Sequence, residues 1–182
     1  MSPTTPGSTI RSAKIIRSDL LPPFVLMPAP PLPPPPPQAL HSGPLALRFA
    51  KAVVPVGKHL APYYHFRILS ALKDVGHINL RVGDSEHIRR VVGHVGFGIR
   101  KRCRGHGFAL LACQALAPFA HTIGSPLVLT CDPENHASRR TLERLTGNQG
   151  EEISVPPGDP HLKRGSRIKL RFHWHPALMA DG

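Results

Sequence analysis

A chain of 182 residues with 41% hydrophobic content can fold one domain with a tail. No apolar stretch reaches the ~20 residues that span a bilayer, and Pro22 and Pro23 cut the one run near the N-terminus that would serve as a signal-peptide core. A net charge of +12 with only two tyrosines and one tryptophan argues against a stacking platform for single-stranded nucleic acid, leaving an anionic ligand or compositional bias to explain the basic residues.

Ten of the 22 prolines lie between Pro22 and Pro37. A segment so poor in backbone donors builds no ladder and adopts extended polyproline II or stays disordered. Residues 1–44 are therefore expected to form a disordered Pro-rich extension, and 45–178 the folded domain. The signal over 46–56 fits a short helix or a strand. Residues 63–69 read as a strand behind Pro62, and 75–82 alternate apolar and polar positions with a period of two. A turn or short helical loop follows at 84–89. The next strand, 91–99, contains Gly93, Gly96 and Gly98, a pattern that loosens a strand and marks a bulge or a close backbone approach.

Apolar residues at 108, 111, 112, 115, 116 and 119 form a stripe at helical spacing. They predict a helix over 108–123, which Pro118 kinks or ends early. A short buried strand at 127–131, a helix at 135–145 capped by a left-handed Gly147, and strands at 151–155 and 167–174 complete the order. Strands and helices in this order make an α/β fold with a mixed, mostly antiparallel central sheet flanked by helices.

Cys103, Cys113 and Cys131 fall in no CxxC pattern, which fits a reducing cytoplasm and gives neither a zinc site nor a disulfide framework. His173 and His175 share one strand face without a third ligand nearby, so no metal is expected.

The chemistry concentrates where the Gly-loosened strand passes through a basic turn into the apolar helix. A helix N-terminus exposes unpaired amides and partial positive charge, which suits phosphate. Gly105 and Gly107 remove side chains that would block a pyrophosphate, and Arg100, Lys101, Arg102 and Arg104 add charge beside it. A P-loop would need GxxxxGK[ST], which is absent. A dinucleotide fingerprint would need a third glycine where Leu110 stands.

The run Arg104-Gly105-His106-Gly107-Phe108-Ala109 matches [Arg/Gln]-x-x-Gly-x-[Gly/Ala], and the chain thereby resembles the GNAT superfamily of N-acetyltransferases. Segments 76–81 and 93–99 look like the paired central strands of one bacterial branch of that superfamily. Residues 131–138 resemble the segment opening its last helix. The similarity spans about 75–175 and implies an acetyl-CoA N-acyltransferase fold. It also implies a pyrophosphate on Arg104, Gly105, His106, Gly107, Phe108 and Ala109, and a pantetheine arm beside Asn135 and Ser138. Backbone amides around Phe97 to Ile99 would polarise the thioester carbonyl. The implied reaction is acetyl transfer from acetyl-CoA to an amine whose identity the sequence does not carry.

The departures are specific. Leu142 stands where many relatives place a tyrosine that protonates the leaving thiolate, and Thr146 stands where a glycine is usual. The Pro-rich run occupies the place of the N-terminal helices that shape the acceptor pocket, so the fold is expected to lack them. For the general base, His94 on the central strand and Glu86 in the preceding loop are the candidates. A CoA-binding or truncated module without catalysis is the alternative function. A homodimer is compatible with either.

Overall fold

The computed structural model describes residues 32–55 and 60–176. Five antiparallel strands pair in sequence order: β1 (Leu40–Ser42), β2 (Leu45–Val53), β3 (Tyr63–Ser70), β4 (Lys73–Arg81) and β5 (Val95–Ile99). Helix α1 (Phe108–Ile123) leads to β6 (Leu127–Cys131), followed by α2 (His136–Thr146), β7 (Glu151–Ser154), the single-turn α3 (Pro160–Lys163) and β8 (Ile168–Trp174). Strands β6, β8 and β7 form a second antiparallel sheet with β8 in the middle. The fold is thus mixed α/β with antiparallel sheets and flanking helices, as the element order predicted, but the strands divide into two sheets.

Alternation along the first sheet decides where the core lies. Leu45, Leu47, Tyr64, Phe66, Ile68, Ile78 and Leu80 point to one face and are fully buried. Helix α1 covers that face with Ala112, Ala115, Leu116, Phe119 and Ala120. Phe119 meets the rings of Tyr64 and Phe66 edge-on, at centroid distances of 5.0 and 6.0 Å. Burial of each large apolar side chain contributes about 2 kcal/mol, and this face supplies most of them. This packing also explains why α1 runs through Pro118 to Ile123. Proline deletes the bond to the carbonyl of Gln114, but Ala117, Phe119 and Ala120 are locked against the sheet.

The other face presents His65, Arg67, His77, Asn79 and Arg81. Among the described residues of the 54–62 connection between β2 and β3 there is no helix.

Two boundaries differ from the sequence expectations, and one open choice is settled. The folded part starts before residue 44, because Leu40 pairs with Leu47 and packs on the core, and Gly43 at φ +52° closes the hairpin. Tyr64 Oη also donates to the Pro33 carbonyl. Residues 1–31 of the expected extension lie outside the described residues. The ambiguous segment near 46–56 is a strand, β2. Finally, β5 begins at Val95 rather than at residue 91. Ile88–Val92 is a π-helical turn, and Gly93 at φ +64° and ψ 171° reverses the chain into the strand.

Candidate active site

The two sheets meet at one point and diverge from it. There the His94 amide donates to the Val128 carbonyl at 2.6 Å, and the Thr130 hydroxyl donates to the Val91 carbonyl at 2.7 Å. A Cβ on Gly93 would come within 2.9 Å of the Thr130 backbone nitrogen, so only glycine permits the approach. Beyond this junction β5 and β6 share no ladder among the described residues. The gap becomes a cavity of about 490 Å³ bounded by the end of β5, the turn into α1 and the first turns of α2.

Nine of the ten residues singled out for cofactor contact line this cavity: Phe97, Ile99, Arg104, Gly105, Gly107, Phe108, Ala109, Asn135 and Ser138. The tenth, His106, is exposed outside it, its ring 5.6 Å from that of Phe108. Gly105 and Gly107 have φ of +87° and +72°, and a Cβ on either would meet no protein atom within 4 Å. Their glycine character therefore answers backbone conformation and leaves the space above them open. Gly107 is the N-cap of α1 and provides no side-chain cap, so the helix start remains available to an anion. Among the described residues, Arg104 and Arg140 line the cavity and no carboxylate does. That charge balance suits a polyphosphate.

Asn135 caps α2 by accepting the Ser138 amide at 3.2 Å. This cap aims the helix start at the cavity and brings Ala137, Arg140 and Thr141 into its wall. Arg140 and Thr141 are not among the residues expected from the sequence to contact the cofactor. Helical spacing from Ser138 carried the signal for Thr141, one turn further along, whereas Arg140 lies one turn beyond Ala137. Leu142, at the position of the missing tyrosine, is buried in the core and does not line the cavity.

The structure places both candidate bases outside the lining of this cavity. His94 is buried and lies outside the cavity at the sheet junction. Its Nδ1 atom has two contacts with Val128 that require opposite proton positions. The shorter, in which the Val128 amide donates at 2.9 Å, decides over the 3.3 Å approach to the carbonyl. Nε2–H then donates to the Gly83 carbonyl at 3.1 Å, so neither nitrogen is left to take a proton. Burial holds the ring below its ordinary pKa of 6.5. The unfolded chain binds a proton here that the folded chain refuses. Stability from this group is therefore complete above pH 6.5 and is lost as the pH falls below it. Substituting His94→Ala is expected to cost about 2–3 kcal/mol in urea unfolding at neutral pH, through the stranded Val128 amide and Gly83 carbonyl. It should also flatten the decline in stability just below pH 6.5. Glu86 is exposed, bonded to Arg90 one turn away at 3.2 Å, and likewise does not line the cavity.

Among the described residues no helix is long and apolar enough to cross a membrane, and the three cysteines are free thiols. Residues 46–147 match the family model described as an acetyltransferase (GNAT) domain. No curated protein matches the chain. Among solved structures the chain is similar to apo crystal form I of RimL, the ribosomal L7/L12 alpha-N-protein acetyltransferase. The identity is 12% and the TM-score 0.52, over 76% of this chain and 94% of that one. The same enzyme in complex with coenzyme A gives 12% identity and a TM-score of 0.49, over 76% of this chain and 98% of that one. The matched domain covers more than half of the sequence, and the chain belongs to the GNAT acetyltransferase family.

Proposed function

We propose that the chain transfers an acetyl group from acetyl-CoA to a primary amine by direct attack, in the cytoplasm. The observation that carries this reading is the acid-free cavity at the uncapped start of α1, which gathers nine residues chosen from the sequence for CoA contact. In this reading the pyrophosphate lies over Gly105 to Ala109 beside Arg104. The pantetheine arm follows Phe97 to Ile99 on one side and Asn135 and Ser138 on the other. Backbone amides of β5 polarise the thioester carbonyl, the step at which preorganised donors contribute most. With Leu142 buried and apolar, the departing thiolate takes its proton from water.

Two measurements test the proposal. Calorimetric titration with CoA is expected to show a single site, and acetyl-CoA with free-amine peptides, polyamines and amino acids is expected to release thiol. CoA binding without thiol release from any amine would replace this reading with a CoA-binding module that lacks catalysis. The buried Leu142, at the place of the usual acid, is the observation that keeps that second reading in play.

A further inference from the structure

A second cavity, of about 530 Å³, opens on the sheet face that α1 does not cover. Tyr63, Asn79 and Arg81 line it from the sheet, and His161 and Arg164 line it from the β7–β8 connection. The two cavities are lined from paired strands, the second from β4 and the first from β5. Asn79 pairs with Gly96, and the Arg81 guanidinium lies so close over Gly96 that a Cβ there would approach it to 3.2 Å. The next residue, Phe97, lines the CoA cavity. A group held beside Asn79 and Arg81 is therefore one strand away from the arm along Phe97.

The lining holds two imidazoles, His87 and His161, and Asp159 orients both. Asp159, the N-cap of α3, accepts the His161 amide at 2.8 Å, and the same oxygen lies 3.1 Å from His161 Nδ1. Its other oxygen lies 2.7 Å from His87 Nδ1. Burial alone would raise the Asp159 pKa, but the His161 amide and the His87 ring outweigh it and hold the carboxyl below its ordinary range. An ionised carboxylate accepts only, so His161 places its proton on Nδ1 and keeps the lone pair on Nε2. Burial depresses the His161 pKa, which keeps the ring neutral and ready to accept a proton at neutral pH. Among the described residues, Arg81 and Arg164 line the cavity and no carboxylate does, so the local field disfavours an ammonium and favours the neutral amine that the reaction needs.

We propose that the acceptor amine occupies this second cavity and that His161 Nε2, oriented by Asp159, takes the proton of its ammonium form. This rests on the acetyltransferase reading. The freed nitrogen lone pair attacks the thioester carbon of acetyl-CoA, forming the C–N bond. Collapse breaks the C–S bond, and the sulfur leaves as thiolate with the bonding pair. The second N–H proton passes through water to that thiolate, and His161 returns the first proton to solvent.

The test uses the full chain with the amine panel above and CoA titration as control. His161→Gln is expected to lower kcat by about 100-fold or more with CoA affinity unchanged, and His161→Asn should repeat the loss if the first variant melts early. The acidic limb of the wild-type kcat profile should vanish in both variants. The groups facing His161 are Asp159 and His87, Arg164 on its own connection, Lys169 on β8 with its partner Asp132, and Arg81 across the cavity. Turnover by His161→Gln equal to wild type would overturn the assignment. Nitrogen-15 NMR showing His161 protonated on Nε2 in the neutral form would do the same without reference to activity. A wild-type chain that binds CoA and acetylates nothing overturns both readings, and its own inactivity sets it apart from failure of His161 alone.

Discussion

Gly107→Glu is expected to weaken CoA binding about a hundred-fold in calorimetric titration while leaving the fold intact. Two effects are separate. The backbone at φ +72° lies in the left-handed region, where a side chain costs about 1 kcal/mol in the turn. The larger effect is charge. A carboxylate about 5 Å from one phosphate charge repels it by about 3 kcal/mol at an effective dielectric of 20. The strain is present with and without CoA, so the charge alone sets the loss of affinity, roughly two decades in Kd. A Cβ at Gly107 meets no protein atom within 4 Å, so the thermal midpoint should fall only by the backbone share. Gly107→Ala isolates that share. Glutamate at this position with wild-type affinity would refute the pyrophosphate cradle.

Gly93→Ala is expected to produce the largest loss of stability, about 3–4 kcal/mol. At φ +64° and ψ 171° the residue occupies a region open essentially to glycine alone, worth about 2 kcal/mol of strain for alanine. The methyl would also stand 2.9 Å from the Thr130 nitrogen and 3.1 Å from Leu129 Cα. Both are backbone atoms of β6 and cannot rotate away, which adds about 1–2 kcal/mol of overpacking. Urea unfolding of the two proteins measures the difference. An alanine variant as stable as wild type would show that the sheets do not meet at this junction.

What the sequence disclosed follows from where the physics is local. The stripe over 108–119 placed the start and body of α1, and the buried run Leu127–Cys131 and the left-handed cap at Gly147 appeared where expected. Each depends on periodicity or on one backbone conformation. The cavity residues were legible for the same reason, since glycine spacing, basic charge and a helix start adjoin in the chain. Positions decided by partners distant in sequence were not legible. His94 looked like a base because it titrates near neutrality, and only the approach of Val128 and Gly83 shows its ring to be fully bonded. His161 drew no notice, because its meaning depends on Asp159 and on a cavity wall built by Asn79 and Arg81. The start of β5 was missed because Val91 and Val92 suit a strand, and Arg81 NH1 instead ties the Val92 and Gly93 carbonyls at 3.1 Å.

Trp174 is the chain's only tryptophan and sits at the end of β8, opposite Leu127, almost wholly buried. Its indole nitrogen has no hydrogen-bond partner among the described residues. A dry, unbonded indole emits at short wavelength and shifts to the red once water reaches it. The chain thus carries its own optical probe, placed in the smaller sheet. Peptide circular dichroism, dominated by the larger sheet and α1, reports on the rest. Comparing the two signals through one denaturant series reveals whether the halves joined at Gly93 come apart together or in turn.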